Sequence, residues 1–363
     1  MKKKSIIITC SPFGNPVSDY YNYLADEFLR YNYKVIFVFD GLRKEKEEKK
    51  SNKLILFWPN KRPTKFSDFC FFYKLVQKEK PELCISNFGS TNIVSIVSYL
   101  LGVKNRMNYV HTTSMQLNLD SNKNYIKSFL LKKRKQFVYN INTQLLTNSE
   151  GTRKDTVKFY NIEKNKIKVI PLLIKESIVN YKKKSEREYS ICIVGRLHSS
   201  KGHKELFYLF KKSIIKFPKL KLKIIGDGYL KDDLIKLSKK LNIRKNIDFL
   251  GNVPNSEIGV FFSKSLINIS SSIEEAYGLV NIEALREGTP LICTRTAGAI
   301  DILSDKINGV YFSHDEEDSL SNALEIVLSN WDFYSNNAIN IFKNRYSIEK
   351  VEEQLKIITK DSL

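Results

Sequence analysis

The sequence predicts an α/β protein made of two doubly wound blocks, each a parallel sheet covered by helices on both faces. Three observations carry this. Short apolar runs such as Val35–Phe39 have no polar alternation, as strands buried on both faces do not. Helix-spaced stretches separate these runs, and repeated strand–helix–strand units imply parallel strands with right-handed crossovers. The alternation also stops once, in a polar, lysine-rich stretch over 175–190, and then restarts. A chain of 363 residues fits two such domains better than one.

In the first block, Ser5–Thr9 reads as a strand. Leu24, Phe28 and Tyr31 mark a helix over Val17–Tyr31. Further strands follow at Val35–Phe39, Leu54–Trp58, Leu83–Ser86, Met107–Val110, Leu145–Thr147 and Ile167–Ile170. The stretch 175–189, with Lys182-Lys183-Lys184 and Glu186-Arg187-Glu188, reads as a linker, or alternatively as a solvated loop inside one large domain. Strand Ile191–Val194 opens the second block. A helix face follows at Leu206, Leu209, Phe210, Ile214 and Phe217, then a strand at Leu222–Ile225 and a stripe at Leu230, Leu234, Leu237 and Leu241. Strands are expected at Ile247–Leu250, Leu266–Ile269 and Leu291–Thr294. Ser313 and Glu316 are spaced as a capping box for a helix carrying Leu320, Leu324 and Val327.

Composition excludes several classes. No run approaches the ~20 apolar residues of a membrane-spanning helix. Behind Met1-Lys2-Lys3-Lys4 only Ile6-Ile7-Ile8 precedes Thr9, too short for a secretory signal, so a cytoplasmic protein is expected. The five cysteines are scattered without a C-x-x-C pair, which argues against zinc and disulfide frameworks. The net charge of +21 reads either as attraction to an anionic partner or as the composition of an AT-rich genome. No nucleic-acid motif accompanies it, so no nucleic-acid partner is expected.

Ligands of doubly wound sheets bind beyond the carboxyl ends of the strands. Gly195-Arg196-Leu197-His198-Ser199-Ser200-Lys201-Gly202 lies at such an exit. Gly195 permits a sharp turn, and Arg196 and Lys201 place two cations near a helix start, a diphosphate site by charge and dipole. It is not a P-loop. A second exit carries Ser270 to Ala284, in which Glu275 and Glu283 straddle a helix opened by Gly278. Amides of Gly278, Leu279 and Val280 would be unpaired by the helix and could bind phosphate oxygens. Glu283, in the second turn, could take both hydroxyls of a ribose, and Glu275 could face a sugar. The alternative is that both glutamates only complement the helix dipole. Gly226-Asp227-Gly228, at another strand exit, could wall a nucleotide pocket or be an ordinary turn.

Together these motifs resemble the retaining GT-B glycosyltransferases of family 4, the glycosyl transferases group 1 superfamily. The marks are G-R-x(4)-K-G, Ile225-Gly226-Asp227-Gly228, Phe249-Leu250-Gly251-Asn252-Val253, Glu275-x(7)-Glu283, Glu283 to Leu291, and Asn308-Gly309. Asn148-Ser149-Glu150 and Lys168-Val169-Ile170-Pro171 are similar to the end of the family's first domain. The resemblance implies two Rossmann-like domains facing an interdomain cleft. An acceptor-binding domain would span 1–174 and a nucleotide-sugar domain 190–345, with a C-terminal helix at about 346–363 packing back on the first. It implies retention of configuration and neither metal nor cofactor, the nucleotide sugar being a co-substrate. Arg196 and Lys201 would hold the diphosphate, Glu283 the ribose and Glu275 the transferred sugar. Gly195 and the amides near Gly278, Leu279 and Val280 would assist, with Asp227 and Val253 near the base. Gly14 would approach the diphosphate and His111 the donor sugar. Departures are Ala276-Tyr277, where Gly-Phe is common, Leu172-Leu173-Ile174 after Pro171, a glycine-poor loop over Ser11–Pro16, and Asp301 in place of a glutamate.

The expected function is transfer of a hexose-type sugar from a nucleoside-diphosphate sugar to a glycan or lipid-linked acceptor in bacterial surface polysaccharide synthesis. The alternatives are a sugar-nucleotide epimerase of the same fold, or a basic nucleic-acid- or membrane-binding protein without catalysis. Ile126, Phe129, Leu130 and Phe137 lie among Lys127, Lys132, Lys133, Arg134 and Lys135. As a helix this stretch either docks peripherally on the anionic inner face of the plasma membrane or packs on the sheet with solvated lysines.

Overall fold

The computed structural model describes residues 3–40, 48–50, 52–119 and 125–359. Contacts divide the chain into two units. One comprises Met1–Ser114, Lys123–Ile174 and Ile348–Leu363; the other comprises Met115–Asn122 and Lys175–Ser347.

The first unit holds strands β1 (Ser5–Cys10), β2 (Lys34–Phe39), β3 (Glu48–Lys50), β4 (Lys53–Phe57), β5 (Leu83–Asn87), β6 (Asn105–Val110), β7 (Gln144–Thr147) and β8 (Ile167–Val169). Their order is β3-β4-β2-β1-β5-β6-β7-β8, parallel except for β3, which runs antiparallel to β4 at the edge. The apolar runs fill a core in which Ile7, Ile36, Trp58, Phe72 and Val97 are fully buried, each contributing ~1.5–3 kcal/mol. The first helix, Pro16–Arg30, is capped by Asn15, whose side chain accepts from the Ser18 amide at 3.1 Å, with proline in the first turn. Near the end of the chain, helix Val351–Thr359 packs on that helix. Gln354 donates to the Pro171 carbonyl at 2.7 Å, and the Ile348 amide donates to Ile174 at 3.0 Å. This accounts for Leu172-Leu173-Ile174: all three are buried, where a glycine- and asparagine-rich exit would leave a void.

The second unit holds β9 (Glu188–Val194), β10 (Lys221–Ile225), β11 (Ile247–Gly251), β12 (Ser265–Ser270), β13 (Leu291–Cys293) and β14 (Gly309–Tyr311). They form one sheet in the order β11-β10-β9-β12-β13-β14, all parallel. Leu206 and Phe210 from one helix and Leu234 from the next bury against Ile191, Leu222 and Ile224.

Three details differ from the sequence reading. The stretch 175–189 is not a free linker. Arg187 is 7% exposed and donates to the carbonyls of Phe262, Ser265 and Glu287 at 3.1, 2.9 and 2.7 Å. A guanidinium that satisfies backbone acceptors can be buried despite its charge. The capping box at Ser313 does not form. Ser313 Oγ instead accepts from Asp315 N at 3.2 Å, and the helix begins at Ser319, whose hydroxyl donates to the Glu316 carbonyl at 2.8 Å. Strands β3 (Glu48–Lys50) and β14 (Gly309–Tyr311) lie outside the apolar runs from which the other strands were read.

Candidate functional site

Both sheets have a switch point where the winding direction reverses, between β9 and β12 in the second unit and between β1 and β5 in the first. Loops diverge there and leave room at the carboxyl ends.

In the second unit the exits of β9 and β12 are drawn together. The Ile273 amide donates to Ser200 at 2.9 Å, and Ser271 Oγ donates to the Gly202 carbonyl at 2.8 Å. Gly202 has φ +64°, and a Cβ there would lie 1.9 Å from the Ser271 carbonyl oxygen, so only glycine allows the approach. The consequence is a salt bridge between Lys201 Nζ and Glu275 Oε2, both side chains mostly buried at 16% and 14% exposure. The structure thus joins two residues to which the sequence reading gave separate tasks. Arg196 is exposed on the turn after Gly195, and Gly195 N donates to the Ile225 carbonyl at 2.9 Å.

Helix Leu279–Arg286 starts at Gly278, which has φ +85°. Leu279 and Val280 lie in its first turn, ahead of the Asn281 amide that donates to the Gly278 carbonyl at 2.9 Å, and their own amides have no intrahelical acceptor. The Glu275 carbonyl is held by the Gly298 amide at 2.8 Å, so the loop between β12 and this helix is fixed at both ends. Glu283 is 7% exposed, and burial pushes its carboxyl up to about 7, with Arg286 opposing and Glu287 adding to the shift. A dipole-complementing surface glutamate would not behave so.

At the exit of β10, Asp227 accepts from Lys231 Nζ at 2.9 Å and from the Gly228 amide at 2.7 Å, and these bonds hold its carboxyl below the usual range. Val253 is partly buried in the loop after β11.

Gly14 and His111 belong to the first unit. The Gly14 amide donates to Asp19 Oδ1 at 3.2 Å. His111 follows β6, with Nε2 at 2.7 Å from Asn87 Oδ1 and its ring stacked between Phe88 and Tyr109. Although the residue as a whole is only partly buried, packing desolvates the imidazole and lowers its pKa to about 3, so it is neutral at physiological pH. Sequence reasoning missed Asn87 and Phe88. A polar residue ending the apolar run Leu83–Ser86 was the available signal for Asn87; Phe88 left none.

Among the described residues no three His, Cys, Asp or Glu side chains are grouped so as to hold a metal ion, and no helix is long and apolar enough to cross a membrane.

Residues 174–344 match the family model described as glycosyl transferases group 1. An uncharacterized glycosyltransferase of Methanocaldococcus jannaschii is 27% identical over 58% of this chain and 58% of its own length. The N-acetylgalactosamine-N,N'-diacetylbacillosaminyl-diphospho-undecaprenol 4-alpha-N-acetylgalactosaminyltransferase of Campylobacter jejuni is 26% identical over 65% of this chain and 64% of its own. The chain therefore spans less than two thirds of either relative. Among solved structures, sucrose-phosphate synthase from Thermosynechococcus elongatus superposes with a TM-score of 0.79 at 15% identity, covering 98% of each chain. Anabaena HepE in complex with UDP gives 0.75 at 14%, covering 99% of this chain and 100% of that one. At such identities the likeness shows the fold, which is of GT-B type.

Proposed function

We propose that this chain, whose residues 174–344 match the glycosyl transferases group 1 model, transfers a hexose-type sugar from a nucleoside-diphosphate donor to a glycan or lipid-linked acceptor, with retention of configuration. The observation that carries this is the meeting of Lys201 and Glu275 at the switch point, beside the first turn of helix Leu279–Arg286.

In this reading the bond between the anomeric carbon and the diphosphate oxygen breaks, and an acceptor hydroxyl oxygen bonds to that carbon from the same face. The acceptor proton passes to the departing phosphate oxygen. Negative charge grows on the diphosphate, where Lys201, Arg196 and the amides of the helix start would stabilise it. Lys201 is neutralised by Glu275 in this structure, and the more highly charged diphosphate would compete for it. Glu275 is then released toward the sugar. Glu283 would accept from the ribose hydroxyls, and His111 would meet a substrate hydroxyl. Fixed cations would take the place of a metal ion.

The lipid-linked acceptor is supported by the helix Tyr125–Ile141. Ile126, Phe129, Leu130 and Phe137 are 70%, 48%, 61% and 57% exposed. The Campylobacter relative is named for an undecaprenol-linked acceptor, and a bacterial surface-glycan role, with the protein peripheral on the cytoplasmic membrane face, follows the same line. Incubation of the pure protein with a panel of nucleotide sugars should release nucleoside diphosphate. Lys201→Ala should lower that rate ~10–150-fold, the equivalent of losing a charge-assisted bond worth ~1.5–3 kcal/mol. Wild-type turnover by a folded Lys201→Ala variant would remove Lys201 from the site.

A further inference from the structure

The carboxyl ends of β1, β5 and β6 meet around one amide. Asn87 ends β5 and is 1% exposed. Its Nδ2 donates to the Thr9 carbonyl at 2.9 Å. A carbonyl can only accept, so the amide can face only one way, with Oδ1 on the opposite side. There Oδ1 takes the Tyr21 hydroxyl at 2.7 Å and meets His111 Nε2 at 2.7 Å. An amide oxygen has no hydrogen to give, so the histidine nitrogen must be the donor. The proton of the neutral ring therefore sits on Nε2, and Nδ1 keeps its lone pair.

Stacking closes off rotation of the ring. Phe88 lies against one face at 4.2 Å and 15°, Tyr109 against the other at 4.9 Å and 9°. Phe88 is 47% exposed and has φ +48°, a conformation costly for a side chain of its size. The titratable groups around the cluster are Tyr20 and Tyr21 from the first helix, Tyr109 from β6 and Cys10 from β1. All have pKa values raised by burial and so stay neutral. Asp40 acts on Cys10, and its own carboxyl is raised to about 6. None of the tyrosines or the thiol supplies the negative charge that would favour an imidazolium.

We infer that Asn87 is a positioning residue that locks His111 as its Nε2–H tautomer, so that Nδ1 accepts a hydrogen bond from a substrate hydroxyl and cannot donate to phosphate. The lock stands on this geometry alone; the hydroxyl rests on the glycosyltransferase reading.

The test is nitrogen-15 NMR of the histidine rings in the full chain, with His111 assigned through His111→Gln. The wild type should show a protonated Nε2 and bare Nδ1 from pH 8 down to pH 5. Asn87→Asp, nearly isosteric, sets a carboxyl against both Nε2 and the Thr9 carbonyl, and its ionised form should raise the His111 pKa by about 1–3 units. Asn87→Leu, of similar size but without an acceptor, should release the tautomer and populate Nδ1–H, with turnover down about tenfold. A wild-type ring protonated on Nδ1, or a ring still wholly Nε2–H in folded Asn87→Leu, overturns the lock. Titration with UDP, UDP-glucose and UDP-N-acetylglucosamine tests the hydroxyl. Nδ1 should shift with a nucleotide sugar and not with UDP. If the nucleotides bind and no sugar moves Nδ1, the hydroxyl contact is wrong. If none binds or turns over, the glycosyltransferase reading fails while the tautomer result stands.

Discussion

Glu283 shows what burial does to a single side chain. Its carboxyl is raised from the ordinary 4.5 to about 7, chiefly because the second turn of its helix is desolvated. The folded state therefore holds the proton more tightly than the unfolded chain. Stability contributed this way is present at low pH and lost as pH rises from about 4.5 through 7. Glu283→Gln cannot ionise, so its stability relative to wild type should increase between pH 5 and pH 8, by up to ~3 kcal/mol at ~1.4 kcal/mol per unit. Denaturant unfolding of both proteins at several pH values measures this, and a constant difference would contradict it. The residue type and its spacing from Glu275 were legible in the sequence; the desolvation was not, because it comes from packing around the helix. Gly202 is similar. It was readable as part of a motif, but the carbonyl that forbids any side chain there lies on Ser271, 69 residues away.

At the scale of the element, the helix Tyr125–Ile141 turns one face outward. Ile126, Leu130 and Phe137 share that face with exposed Lys127, Lys133 and Arg134 at helical spacing. Lys132 and Lys135 are partly buried and reach rings of a neighbouring helix, Lys132 Nζ lying 4.4 Å from the Phe159 ring centre and Lys135 Nζ 5.8 Å from that of Tyr160, whereas exposed Lys133 lies 5.7 Å from Phe129 of its own helix. The sequence reading counted all the lysines alike, since a cation over a distant aromatic ring leaves no local signal. Anionic vesicles should therefore float the protein better than neutral ones at low salt. Lys133→Glu with Arg134→Glu should weaken this by ~1 kcal/mol or more per charge, while Lys132→Glu should matter less. Equal binding to neutral and anionic vesicles would rule out docking through this face.

For the whole molecule, the lysine- and arginine-rich composition and the fixed cations at the β9 exit lead to one further expectation. EDTA-treated protein should keep its nucleotide-sugar turnover; activity regained only with Mg²⁺ or Mn²⁺ would show that these cations are insufficient. By itself the sequence determined the alternation of strands and helices, the two sheets and the residues at the strand exits. Those follow from local patterns: apolar runs buried on both faces, 3.6-residue spacing, and glycines at turns. Strand order, the return of Val351–Thr359 to the first unit, the Lys201–Glu275 pair and the His111–Asn87 bond were decided only by the tertiary structure. Each depends on which groups packing brings within about 3 Å of one another across long stretches of chain, and a hydrogen bond or ion pair of that reach has no periodicity to read.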